Sequence, residues 1–225
     1  MDKLFGSNQA FSANLDMQVT EPSGQPVTMP GKIAYDMGKT RFEFNMADMK
    51  GRKMSPQGAA QMKAMGMDVM VTITRPDEKT AYLVYPGLQS YAATAMPVAE
   101  SSPTNNDLKT QTTEIGKDTV DGHPCVENKV IITDKEGTSH ESTVWNATDL
   151  KSFPVKIETT EEGSKVTMLF KNVSLAKPAA GEFEPPADFK KYDNIQQLMQ
   201  EQMMKRMQNG GIPGMGPGAA HPPEQ

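Results

Sequence analysis

Three groups of side chains have types and spacings that could support chemistry. The first is methionine, with 18 of 225 residues, more than Phe, Tyr and Trp together at 8, 5 and 1. Met62, Met65, Met67 and Met70 follow one another closely, and Met199, Met203 and Met207 recur at helical spacing. Thioethers are soft ligands that select Cu(I), so both runs are candidate soft-metal sites. The plainer reading is pliable core filling, because Met is unbranched and polarizable; Met67 and Met70 also fall on opposite faces of an expected strand. The second group is His123 and Cys125. Two apart on a strand they share a face, and a Cys–His pair is a candidate metal site or activated thiol. No third ligand lies nearby in sequence, with His140 and His221 in other segments, so a small buried cysteine is the plainer reading. A single Cys forms no intramolecular disulfide, and with three His it builds no Cys-rich zinc site. The third group is acidic: Glu158, Glu161 and Glu162 lie in or beside a turn and are expected to be solvated. There is no glycine-rich phosphate loop, nucleophile elbow or H-E-x-x-H. The expectation is a non-enzymatic chain with no catalytic residue, cofactor or resident metal. Asn146-Ala147-Thr148 and Asn172-Val173-Ser174 match glycosylation acceptors, a pattern that chance often supplies.

These groups must be positioned by elements, and the elements read mainly as strands. Phe11, Ala13, Leu15, Met17 and Val19 alternate with Ser12, Asn14, Asp16, Gln18 and Thr20, a strand with one dry and one wet face. Glu21-Pro22-Ser23-Gly24 turns the chain. Val27, Met29, Gly31, Ile33 and Tyr35 form the next dry face, Asp36–Lys39 a turn, and Phe42, Phe44 and Met46 the third, an antiparallel meander. Ser55-Pro56 starts a short helix as N-cap and first helical residue, and Gly66 closes it. Strands resume with Val69, Val71 and Ile73, then Ala81, Leu83 and Tyr85, then residues 89–95. After a polar loop at 100–108, residues 110–116, 125–133, 139–146, 154–160 and 165–175 read as five more. Asp193 with Gln196 resembles a capping box opening a second helix, with Ile195, Leu198, Met199 and Met203 on one side and Met207 at its edge. Residues 1–8 are expected to be disordered, 9–208 to form one domain, and 209–225 to be a disordered Gly/Pro tail. The fold class is therefore mainly β (α+β): a curved antiparallel half-barrel of about eleven strands with a small helical lid.

Composition limits the functions available. Lys and Arg number 23 against 28 Asp and Glu, a net charge of -5, so no cationic surplus exists to neutralise phosphates and no nucleic-acid partner is expected. No run of about 18 apolar residues occurs, so no membrane-spanning helix is expected. Leu, Ile, Val and Phe supply 38 residues, about 17%, below the roughly 20% at which a highly charged chain reads as disordered, though the net charge here is modest. Methionine makes up the difference, giving either a loosely specified core or a surface that adapts to what it holds.

The C-terminal half carries a resemblance. A strand with Trp145, a polar turn and the Pro154-Val155-Lys156 strand are similar to an element of bacterial LolA-like proteins. So are the strand Val166–Val173 and the closing segment Glu182-Phe183-Glu184-Pro185-Pro186-Ala187-Asp188-Phe189-Lys190-Lys191-Tyr192. Asp121-Gly122-His123-Pro124-Cys125 looks like a Gly-x-x-Cys hairpin opening of one branch of that superfamily. The resemblance is best over residues 110–192. It implies an antiparallel half-barrel covered by helices, a periplasmic location after removal of a signal peptide, and a cavity between sheet and lid that carries or senses lipid. The lid arginine of the lipoprotein carrier has no counterpart placed here, and the Met-rich helix and the tail are unlike that carrier.

The expected ligand is a lipid or the acyl chain of a lipoprotein, with a membrane-associated donor or acceptor protein as partner and the chain a monomer. The expected lining is Phe11, Leu15, Ile33, Phe42, Phe44, Val69, Val71, Leu83, Val130, Met168 and Phe170, with Met62 and Met65 in a lid at 55–66 that opens. Each is also a natural core residue. The alternatives are a Met-rich Cu(I)-binding periplasmic protein, and a sensor or assembly module whose core is filled by its own side chains.

Overall fold

In a computed structural model, which describes residues 5–22, 24–51, 55–96, 109–133, 137–161 and 163–208, the chain folds around one large sheet. The expected loop at 100–108 and tail at 209–225 lie outside these residues. The strands are β1 (Ala10–Thr20), β2 (Val27–Asp36), β3 (Lys39–Asn45), β4 (Val69–Arg75), β5 (Thr80–Tyr85), β6 (Ser90–Ala95), β7 (Lys109–Val120), β8 (His123–Thr133), β9 (Ser139–Ala147), β10 (Phe153–Glu161), β11 (Ser164–Ser174) and β12 (Lys190–Tyr192). Two helices accompany them, α1 (Pro56–Ala64) and α2 (Ile195–Gln208). The sheet runs β12-β6-β5-β4-β3-β2-β1-β11-β10-β9-β8-β7 and does not close. Every pairing is antiparallel except the three-residue β12, which runs parallel to β6. That strand, too short for any periodicity to mark, makes twelve strands among the described residues against the expected eleven or so.

Directly paired residues share a face, so the register sorts the molecule into two sides. One carries Phe11, Leu15 and Met17 and is called the Phe11 face. The other carries Asn14, Asp16 and Gln18 and is called the Asp16 face. The reading of one dry and one wet side holds along β1 and fails along β4. Val71 pairs with Glu43 and Ile73 with Arg41, while Phe44 pairs with Met70 and Phe42 with Thr72. Val71 and Ile73 therefore project to the Asp16 face. They are buried because the β11–β12 connection, residues 175–189, straps across that side. Phe183, 1% exposed, inserts from its 3-10 turn (Ala180–Phe183) among Ala34, Val71, Ile73 and Val84. β4 is covered on both sides, and alternation alone does not say which side gets a cover.

The largest cluster gathers on the Phe11 face. Phe5, Phe11, Tyr35, Phe153 and Phe170 meet there, the Phe5 ring 4.7 Å from Phe11 and 5.5 to 5.9 Å from the other three. The reading of residues 1–8 as disordered is corrected for 5–8: Phe5 is 3% exposed, and the Asn8 side chain donates to the carbonyls of Phe5 and Lys151. A single aromatic in a polar stretch has no period to reveal it.

The helices differ in their roles. The Ser55 hydroxyl caps α1 by accepting from the Gly58 N–H at 3.0 Å, with Pro56 at the first position, as expected. Gly66, at φ +65, ends the turn and lies so close to Gly87 that a Cβ would meet its carbonyl oxygen at 2.6 Å. Yet α1 buries no residue, and Met62 and Met65 are half-buried. The lid expected at 55–66 is a small helix braced at the Gly87 turn, not a sealed cover. α2 is capped by Asn194, whose side chain accepts from Gln197 N–H at 2.9 Å, rather than by Asp193. It packs Leu198 fully against Tyr85, Ala92 and Tyr192, with Met70, Leu83, Ile195 and Met199 around them.

Candidate functional site

The expected lining residues divide by environment. Phe11, Leu15, Val130 and Phe170 are buried in the aromatic cluster, and Ile33, Phe42 and Met168 pack half-buried against it. Phe44 is buried and stacks on Phe42 at 5.5 Å between ring centres. Leu83 packs half-buried against the α2 cluster. Val69 and Val71 are corrected: by register they face the opposite side from Phe42, Phe44 and Leu83 and cannot line the same space. Met62 and Met65 belong to α1 and its cap.

What the sheet brings together is a gradient along the Phe11 face. At the end marked by Phe11 and Phe170 the face is sealed by Phe5. At the other end it is half-covered. Met17, Val19, Val27, Met29, Val166 and Met168 are all of intermediate exposure. Their register makes two rows across the sheet. Met29, Met17 and Met168 are successive cross-strand partners on β2, β1 and β11, and Val27, Val19 and Val166 form the row beside them. Gly31, next along the face from Met29, is where the Phe42 ring lies; a Cβ there would meet the ring at 2.7 Å. This is a shelf of pliable and branched apolar groups bordered by two stacked aromatics. Its β1 and β2 members were visible in the alternation. That they form one row was not, because pairing partners and register come from turns and covers.

The Asp16 face has a different chemistry. A cleft of about 760 Å³ lies over β1, β10 and β11, walled by Asp118–Asp121 of the β7–β8 hairpin. Lys171 pairs with Asp16 at 2.8 Å, and Lys156 and Lys165 with Glu158 at 2.9 and 2.8 Å. Burial pushes the Glu158 carboxyl up, but the two ammonium groups outweigh it and hold the group below the usual carboxylate range. Glu158 is thus an ion-paired floor residue rather than a solvated one. Lys156 also sits 3.9 Å above the Trp145 ring, whose buried Nε1 meets no acceptor among the described residues. A second cleft of about 290 Å³ continues along β1 over Ser12 and Asn14 to Arg41 and Glu43. Both are too polar to suit an acyl chain.

The remaining candidates do not assemble. The His123 Nδ1 lies 2.8 Å from Asp149 Oδ2, while the Cys125 thiol donates to the His123 carbonyl at 3.3 Å. Burial pushes the Cys125 thiol up, away from an activated thiolate. Met199 is packed in the α2 cluster, but Met203 and Met207 are 60% and 67% exposed. The helical run of methionines therefore does not converge.

A family model described as "Domain of unknown function (DUF4412)" matches residues 11–152. No curated protein matches the chain. Among solved structures, it is similar to a LolA superfamily protein, NE2245 from Nitrosomonas europaea, at 7% identity and TM-score 0.43, covering 81% of this chain and 93% of that one. It is similar to LprF from Mycobacterium bovis at 15% identity and TM-score 0.44, covering 81% and 91%. It is also similar to a chain of the MucA/MucB complex of Pseudomonas aeruginosa at 14% identity and TM-score 0.43, covering 84% of this chain but 60% of that one.

Proposed function

We propose that this chain, which belongs to the DUF4412 family, is a non-enzymatic, periplasmic binding protein that seats a lipid or lipoprotein acyl chain on the half-covered end of the Phe11 face. The observation that carries the reading is the gradient on that face. Phe5 seals one end, and Met17, Val19, Val27, Met29, Val166 and Met168 are left half-covered at the other. Full burial of each CH₂ contributes about 0.8 kcal/mol, so a long chain needs no polar anchor there. Met side chains adjust their rotamers to its contour. Phe42 and Phe44 border the seat, and a membrane-associated donor or acceptor would deliver or receive the chain. Val69 and Val71 take no part in this seat.

Native mass spectrometry tests it. The protein, purified without detergent and incubated with phospholipid vesicles, is expected to carry a lipid-mass adduct. Met17→Lys puts a charge in the middle of the shelf and should abolish the adduct, while Gln18→Ala on the other face should keep it. Equal uptake by both variants, or a bare chain mass throughout, overturns the reading.

A further inference from the structure

The geometry points to a second property of the shelf that does not depend on lipid: Met17, Met29 and Met168 form a site for one Cu(I) ion. Met17 is paired directly with Met29 on one side and with Met168 on the other. Directly opposed side chains leave the sheet about 4.5–5.5 Å apart at Cβ. Three unbranched chains with three rotatable bonds each can therefore bring their sulfurs to one point above Met17. All three are half-buried, so the thioethers are held near one another yet reachable from solvent.

The surroundings select the ion. Along the same face the neighbours are Leu15 and Val19 on β1, Val27 and Gly31 on β2, Val166 and Phe170 on β11, and Ile157 and Thr159 on β10. Among these side chains the one oxygen is the Thr159 hydroxyl, which donates to the Glu141 carbonyl, so a hard cation finds no ligand set to replace its water. A soft monovalent ion matched to thioether sulfur does. The stacked Phe42 and Phe44 rings, beside Met29 through the contact of Phe42 with Gly31, put aromatic faces near the positive charge. The candidate runs read from sequence lack this convergence: on α2, Met203 and Met207 are exposed, while Met199 is packed inward.

Anaerobic titration of the whole chain with Cu(I) against a chromogenic competitor decides the matter. One ion per chain is expected, with sulfur-only coordination in X-ray absorption. Met17→Leu, Met29→Leu and Met168→Leu keep the apolar shape and should each weaken binding at least about tenfold, the scale reached when a metal site loses even a supporting group. Met199→Leu with Met203→Leu should change nothing. Failure of the parent to bind Cu(I), or unchanged affinity in Met17→Leu, overturns the proposal. The lipid reading is tested separately, by the lipid-mass adduct of the parent chain, which needs no Cu(I).

Discussion

Arg75 shows how one residue can hold a cover in place. It ends β4 at 7% exposure, yet it is surrounded by carboxylates. Its guanidinium meets Asp77 at 3.0 Å and Glu78 at 2.7 Å, pairs with Glu184 of the strap, and donates to the Phe183 carbonyl. The hydrogen bonds to Asp77 raise the guanidinium pKa and in turn hold the Asp77 carboxyl below its usual value. Burial and the bond to Glu78 push the Tyr82 hydroxyl up to about 12. The carboxylates are half-exposed and keep much of their hydration, so the pairs themselves contribute modestly. The larger loss on removing Arg75 is the tether that keeps Phe183 seated. Arg75→Ala is expected to destabilise by about 2 kcal/mol, and Phe183→Ala by about 3–5 kcal/mol as a buried aromatic truncation. Urea unfolding of both variants and of the double variant checks this. If the double variant loses much less than the sum, the two residues act as one unit. Phe5→Ala should cost a similar 3–5 kcal/mol, since the ring is enclosed by four other aromatics; no loss of stability would show that the first residues are an appendage rather than part of the core.

Among the elements, α2 is docked by both packing and charge. Leu198 anchors it, and Glu201 joins Lys190 of β12 at 2.6 Å and Lys205 one turn on at 2.9 Å. The bond to Lys190, then that to Lys205, holds the Glu201 carboxyl down at about 2. A depressed carboxylate contributes stability above its unfolded pKa and loses it as pH falls through the folded one. The charge contribution to α2 docking is therefore intact above the ordinary value of 4.5 and lost between there and about 2. Amide exchange in α2 should speed up over that window, more than in β1 or β2, and Glu201→Gln should remove the pH step; exchange that stays flat would leave packing alone to hold the helix. Sequence made α2 legible because Leu198 and Ile195 recur at helical spacing. Likewise, Ser55-Pro56 located the start of α1 and the β1–β3 alternation located three strands. What was not legible depended on covers. Nothing local to Val71 says that Phe183, more than a hundred residues later, will cover it, so alternation alone does not give its face. The Met17 row was hidden for the same reason: each member was visible, but their adjacency required the β1–β11 pairing, which joins opposite ends of the chain.

A twelve-stranded sheet that does not close has two ends to protect, and the whole molecule treats them differently. At one end β12 is three residues long and backed by α2. At the other, β7 runs twelve residues, nearly all exposed, and its outer backbone edge has no strand partner among the described residues. Such an edge is a template for pairing with another chain. β7 is rich in Thr, which favours extended structure, so its sequence must work against association. It does so with a register break between Glu114 and Gly116 and with the charges of Lys109, Glu114, Lys117 and Asp118. In a two-fold pairing with a second β7 centred on Glu114, that residue would meet its own copy, and like charges set face to face are destabilising. The parent chain is therefore expected to stay monomeric at concentrations where a charge-stripped β7 does not. Replacing Lys109, Glu114, Lys117 and Asp118 by Thr should leave the fold intact, since none is buried, and bring concentration-dependent association in sedimentation velocity. Gly116→Thr, which acts on the register break while keeping the charges, should have a smaller effect. If the charge-stripped chain remains monomeric across the accessible range, the break alone protects the edge.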